Sequence, residues 1–125
     1  MDLRNLKKFF LNEISVDEIV DEINPEVESF RIERAKRGSS SPVCGTNENF
    51  QFTVRPEDLR KLGELYLQGQ LSEWHLEYLA NLLELSLSFS IEDETIADAV
   101  FELSSPEVNG PITIQSVRQI LKGLQ

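Results

Sequence analysis

The sequence predicts an α+β fold, a helix-rich single domain with a small antiparallel sheet. Two observations predict it. Apolar residues recur at the spacing of one helix face in several segments of the 125-residue chain, and two other segments alternate apolar and polar residues as half-buried strands do. With 40% hydrophobic residues, the chain can bury an ordinary core as one domain over residues 1–125 without disulfides or a metal.

The N-terminal quarter predicts two helices, the first from Leu3 to about Asn12. Ser15 and Glu18 have capping-box spacing, in which each side chain accepts from the other's backbone N–H, and so mark the start of the second. Because a proline disfavours helical geometry in the residue before it, Pro25 predicts that this second helix ends at residue 24. The apolar stripes are Leu3, Leu6, Phe9 and Phe10, then Val16, Ile19, Val20 and Ile23.

Alternating apolar and polar residues predict two strands, one from Val27 to Arg34 and one from Phe50 to Val54. Residues 38–47 between them are rich in Gly, Ser and Pro, which predicts a long mobile loop joining an antiparallel pair. Two strands alone are marginally stable, so we expect helices to cover their aromatic face.

Pro56 suits the first turn of a third helix, which ends at Gly69. Ser72 can cap a central fourth helix over residues 72–88, nearly surrounded by apolar contacts. Its polar residues fall in one narrow arc, which predicts a single acidic ridge facing water. The arc consists of Glu73, Glu77, Asn81, Glu84 and Ser88. Residues 85–91 also alternate, so a third strand is the alternative there; we favour helix to about Leu87.

A fifth helix is expected to begin near Glu94 and to stop before Pro106. Its outer face carries Glu94, Asp98 and Glu102, and Phe101 falls beside these acids, away from the buried centre. Thr113 can cap a last helix. The expected buried stripe of that helix is Ile114, Val117, Ile120, Leu121 and Leu124.

The net charge of −10 lies in one stretch of the chain. Between Leu62 and Val117 there are ten acidic residues and no Lys or Arg, while the other twelve acidic residues are matched by all twelve basic ones. Such a field repels nucleic acid and anionic membranes and attracts basic protein surfaces. Neither a membrane span nor a secretory signal pattern is visible, so we expect a cytoplasmic protein. Composition alone leaves open an acidic face that only keeps the protein in solution.

The sequence predicts no enzyme and no cofactor or metal. The only histidine, His75, and the only cysteine, Cys44, are far apart in the chain, and neither has a visible catalytic or metal-binding partner. A small enzyme would need a cleft around one of them. The single basic cluster, which we interpret as a solvated strand end, is small for a nucleic-acid site. It consists of Arg31, Arg34, Lys36 and Arg37.

Aromatic residues border the predicted acidic surface, and an aromatic anchor within steering charge is typical of interface hot spots. For Trp74 and Phe101, the two aromatic residues in question, the alternative is that the ring covers the edge of the core. The candidate partner-binding residues are Glu73, Trp74, Glu77, Glu84, Glu94, Asp98, Phe101 and Glu102.

Three runs, Leu71–Glu84, Asp93–Leu103 and Ser105–Thr113, resemble bacterial immunity proteins of contact-dependent inhibition and related polymorphic toxin systems. The resemblance covers about the last 55 residues as a pattern of helices and turns. It implies a small acidic cytoplasmic immunity-like domain that binds and neutralises one cognate toxin domain, often a basic nuclease. It carries over no binding residues. The alternative is an acidic adaptor or regulatory subunit of a basic host protein.

Overall fold

A computed structural model describes residues 1–35, 45–46 and 49–124. Within these residues the chain forms seven helices and one two-stranded sheet, so the prediction of a helix-rich fold is confirmed. The helices are α1 (Leu3–Phe10), α2 (Val16–Ala35), α3 (Pro56–Leu67), α4 (Glu73–Leu85), α5 (Glu94–Ser104), α6 (Pro106–Asn109) and α7 (Ile114–Gly123). The strands are β1 (Phe52–Thr53) and β2 (Phe89–Ser90).

The sheet differs from the prediction, because β1 pairs with β2 and the two strands are parallel. The backbone N–H of Phe52 donates to the carbonyl of Ser88 at 2.8 Å, and that of Val54 donates to Ser90 at 2.9 Å. A parallel pair needs a long crossover, which α3 and α4 provide. The predicted antiparallel sheet is therefore wrong, and the loop predicted at residues 38–47 lies largely outside the described residues.

Helix α2 runs through Pro25 to Ala35, so the predicted helix end at residue 24 and the predicted strand from Val27 are both wrong. A proline inside a helix removes one hydrogen bond and costs about 3 kcal/mol. Val27 and Phe30 are buried on the same helix face as Ile23. Burying each of these two side chains contributes roughly 1.5–3 kcal/mol, which offsets the cost of the proline.

Two cations contact the C-terminal end of α1. One is Lys61 of α3, and the other is Arg55, the N-cap residue of α3. The Lys61 ammonium donates to the carbonyl of Phe9, and the Arg55 guanidinium donates to the carbonyl of Phe10 at 3.3 Å. Asp58, only 1% exposed, fixes Arg55 by accepting from its backbone N–H and from Nε and Nη2, at 2.8, 3.1 and 2.7 Å. These contacts satisfy helix-end carbonyls and place positive charge at the negative end of the helix dipole.

Helix α4 is central, as predicted, and packs against α2, α3, α5 and β2. Ser72 caps it by accepting from the backbone N–H of His75. The helix ends at Leu85, so the extension to Leu87 is wrong, and the alternative of a strand is correct for Phe89–Ser90.

The predicted cap at Thr113 also forms, since its side-chain oxygen caps α7. Asp93, which was not predicted as a cap, caps α5 in the same way. The predicted stripe of α7 is only partly buried. Val117 and Leu124 are buried, whereas Ile114, at the first position of the helix, is exposed.

Candidate protein-binding site

The polar arc of α4 does not form one ridge facing water. Glu73 is exposed at the start of the helix, but Glu77 is buried, with 4% of its surface exposed. Ser88 lies beyond the end of the helix and is also buried. The predicted exposure of Glu77 is therefore wrong. The reason is that the C-terminal end of α5 and the chain that follows it pack over this side of α4.

Two residues of the arc hold the end of α5. The side-chain amide of Asn81 donates to the carbonyl of Ser104 at 3.2 Å, and the Ser104 hydroxyl donates to Glu84 Oε2 at 3.0 Å. Helix-end carbonyls need donors from outside the helix, which is what Asn81 supplies. Glu84 is exposed, yet it is tied to α5 through Ser104. Polar residues in this arc thus join two helices.

Trp74 lies at the wall of a shallow pocket of about 190 Å³. The pocket brings together three of the predicted binding residues and three residues from the C-terminal part of the chain: Glu73, Trp74, Glu77, Pro106, Pro111 and Ile112. The half-buried Trp74 ring also packs edge-on against Phe30, with ring centroids 6.5 Å apart. Trp74 therefore contacts the core through Phe30 and is also partly exposed to solvent in the pocket.

The outer face of α5 carries three carboxylates spaced four residues apart, Glu94, Asp98 and Glu102, and all three are exposed as predicted. Within the described parts of the chain, none of the three makes an ion pair or a side-chain hydrogen bond. Like charges at this spacing destabilise a helix by roughly 0.2–0.5 kcal/mol per pair. Glu102 in the last turn also opposes the helix dipole. Only Glu94, in the first turn, lies where the dipole favours a carboxylate, so the charges of Asp98 and Glu102 are unfavourable for the isolated helix.

A groove of about 120 Å³ runs between α5 and α7, with two of these carboxylates in its lining. Its lining residues are Thr95, Asp98, Ala99, Glu102, Gln119, Ile120, Gly123 and Leu124. Phe101, on the same helix, is 44% exposed, and it is the only aromatic residue among the exposed large apolar side chains of the described residues. Acidic groups, an apolar groove and an exposed ring therefore share one helix.

His75 is held inside the fold by both ring nitrogens. Nδ1 accepts from the backbone N–H of Ser72 at 3.0 Å, which leaves the proton on Nε2 to be donated to Asn24 Oδ1 at 2.8 Å. Burial lowers the pKa of His75, which keeps the ring in this neutral form. His75 does line a groove of about 620 Å³ between α2 and α4, beside Glu28 and Arg31. A general base needs a free nitrogen, and these bonds occupy both.

Four cations of the described residues are engaged with side chains or carbonyl groups of the same chain, unlike the three α5 carboxylates. The engaged pairs are Arg4 with Asp2, Arg31 with Glu28, Arg55 with Asp58, and Lys61 with Phe9 and Asn12. Of the predicted basic cluster only the Arg31 side chain is described; it pairs with Glu28 at 3.3 Å, and Cys44 lies outside the described residues.

None of the helices in residues 1–35 and 49–124 is long and apolar enough to cross a membrane. In the described part of the chain, no group of three or more His, Cys, Asp or Glu side chains is placed to hold a metal ion. Comparison with protein-family models, curated proteins and solved structures gives no match.

Proposed function

We propose that this chain is an immunity-type inhibitor, a cytoplasmic binding protein that neutralises a cognate toxin domain with a basic surface. The observation that carries the proposal is the outer face of α5. Glu94, Asp98 and Glu102 are exposed there beside the ring of Phe101, with no counter-charge among the residues that the structure describes. A basic partner would supply that counter-charge.

Three physical features favour binding through this face. Association with cations removes the repulsion between carboxylates at positions i and i+4, which the free helix has to tolerate. The summed field of a chain of net charge −10 also attracts a basic partner before contact and raises the association rate at low salt. The exposed ring of Phe101 provides the apolar anchor that interface hot spots share.

The other candidate residues extend this surface around the C-terminal end of α5. Glu84 is bonded to Ser104, the last residue of α5, and Pro106 in the wall of the Trp74 pocket follows two residues later. We therefore assign the Trp74 pocket a secondary role at the margin of the interface. Glu77 is buried and lines that pocket. We therefore remove it from the predicted set of exposed carboxylates that attract a basic partner.

The alternatives differ from the proposal in what they require. An enzyme that used His75 as a general base would need a free ring nitrogen. Both ring nitrogens of His75 are hydrogen-bonded, one to Ser72 and the other to Asn24. An acidic adaptor would use the same α5 face, but its partner would be a basic host protein. Partner identity separates the adaptor from the inhibitor.

The test is co-expression of the chain with the product of the adjacent upstream gene, which the proposal requires to carry a toxin-like C-terminal domain. We expect co-purification and restored growth. The variant Glu94→Gln/Asp98→Asn/Glu102→Gln should lose most of the protection. The matched control Glu13→Gln/Asp17→Asn/Glu18→Gln removes the same charge from three other exposed positions and should protect fully.

Absence of both complex and protection would contradict the inhibitor. If a basic host protein binds instead, and that complex is weakened by the α5 variant alone, the adaptor replaces it. Equal protection by both triple variants would contradict the assignment of the interface to α5.

A further inference from the structure

A further groove, lined mainly by cations, lies between α1 and the chain just before β1 and shares no lining residue with the α5–α7 groove. Its volume is about 400 Å³. It is lined by Arg4, Lys7, Lys8, Leu11, Glu13, Asn49 and Phe50. Three cations against one carboxylate make a locally positive site in a chain whose net charge is −10.

The position of these cations follows from the period of α1. Residues 4, 7, 8 and 11 share one face of a helix, since they are spaced by three and four. The opposite face is buried through Leu3, Leu6, Phe9 and Phe10. The other wall is Phe50, a half-buried ring packed edge-to-face with Phe89 at a centroid distance of 5.4 Å.

Two of the three cations that line this groove, Lys7 and Lys8, form no ion pair with a carboxylate of the described residues. Arg4 is paired with Asp2 at 2.9 Å. In contrast, the Lys7 ammonium lies over the Phe50 ring, 5.4 Å from its centroid, and Lys8 makes no ion pair within the described residues. Neither lysine is needed to cap α1, because Lys61 and the N-cap arginine of α3 already occupy its terminal carbonyls.

We propose that this groove binds a small organic anion that has an aromatic or apolar body. The two ammonium groups suit a phosphate, sulfonate or carboxylate head, while Phe50 and the partly exposed Leu11 contact the body. The volume lies in the range of roughly 300–1,000 Å³ that small-molecule sites occupy. A nucleic acid would need a longer basic surface with interleaved aromatic residues. This site is independent of the proposed inhibitor function.

The experiment uses phenyl phosphate as the probe. Phenol and inorganic phosphate are the comparison ligands, because each has only the aromatic ring or only the anionic group of the probe. Titration of the full ¹⁵N-labelled chain is followed by amide chemical shifts. We expect saturable shifts at Lys7, Lys8, Leu11 and Phe50. Phenyl phosphate should bind about tenfold more tightly than either comparison ligand, since only the intact probe uses both the ammonium groups and the apolar wall.

Three variants test the assignment. Lys7→Gln/Lys8→Gln should weaken phenyl phosphate binding about tenfold. Phe50→Leu should bring phenyl phosphate close to inorganic phosphate. The control Arg118→Gln/Lys122→Gln removes the same charge from exposed positions on α7 and should leave the affinity unchanged. Absence of saturable shifts, equal binding of phenyl phosphate and either comparison ligand, or equal weakening by both double variants would overturn the proposal.

Discussion

At the junction of α1 and α3, Arg55 and Lys61 point their charged groups at the carbonyls that end α1, and Asp58 is buried against Arg55. On α5 the charged groups point away from the fold, and Asp98 and its neighbours at i±4 meet no cation among the described residues. One region thus uses its charges to complete the fold. The other keeps charges that the fold does not need.

This difference shows that the number of charges in a segment does not reveal whether they stabilise the fold; their burial and their partners do. A buried charge needs a partner and hydrogen bonds from the same chain, so its removal harms the fold. An exposed charge in water contributes little to stability, so a column of like charges that weakens its own helix calls for another explanation. The proposed binding to a basic partner would explain the column on α5.

The largest expected effect lies at the α1–α3 junction. Replacing Asp58 with Ala removes the acceptor of three N–H groups of Arg55 and should lower the free energy of unfolding by about 3 kcal/mol. Urea denaturation measures this change. The control is Glu57→Gln, because Glu57 is exposed and lies 3.8 Å from Arg55. A loss no larger than that of the control would mean that this charge is not structural.

The second effect is a pH dependence of stability near neutral pH, which we expect from His75, the single histidine of the chain. Its folded-state pKa is lowered by burial, so the unfolded chain takes up the proton first as the pH falls. Stability should be full above the unfolded pKa of about 6.5 and decrease below it, by at most about 1.4 kcal/mol per pH unit, until the folded pKa is reached.

The measurement is the free energy of unfolding between about pH 7.5 and pH 5.5, on either side of the unfolded histidine pKa. In His75→Gln the glutamine can still accept from the backbone N–H of Ser72, so the helix cap is preserved while the titrating group is removed. The variant should show a flatter profile than the parent. An unchanged slope would assign the pH dependence to carboxylates instead.

The smallest expected effect sharpens the comparison from the acidic side. The variant Asp98→Asn/Glu102→Gln removes two repulsive i,i+4 pairs, keeps Glu94, whose charge favours the N-terminal end of α5, and should raise the free energy of unfolding by less than about 1 kcal/mol. Urea denaturation at low salt measures the change. A clear loss of stability would show that these carboxylates support the fold, and would weaken their assignment to binding.

Much of the helical framework was predictable because it depends on local chemistry. The predicted caps at Ser72 and Thr113, and the proline at the start of α3, act within one turn of the chain. The exposure of Phe101 followed from the helical period of α5 alone.

The errors occurred where contacts between distant segments decide the outcome. The alternation of Phe30 and Ile32 indicated a strand, but the helical spacing of Ile23, Val27 and Phe30 places three side chains in the core and leaves Ile32 half-exposed. Tertiary packing therefore outweighs Pro25 in α2.

The candidate site was predictable on α5 and only partly predictable on α4. A helical wheel shows which residues share a face, but it cannot show which segment packs there. Glu77 is buried, and it shares the lining of the Trp74 pocket with Pro106, Pro111 and Ile112, which are distant from it in the sequence. Asn81, the polar residue within an otherwise apolar stretch, was the sequence feature that could have indicated this contact, since it donates to the end of α5.

The most direct test of the proposed α5 interface is the association rate of the chain with the proposed toxin-like domain, measured by stopped flow over a range of salt concentrations. For the parent chain the rate should fall steeply with salt, because its field steers the encounter. The α5 triple variant should associate about tenfold more slowly at low salt, with a flatter salt dependence, while the Glu13/Asp17/Glu18 control keeps the parental slope. An α5 variant with the parental rate and slope would contradict the claim that this face binds the partner.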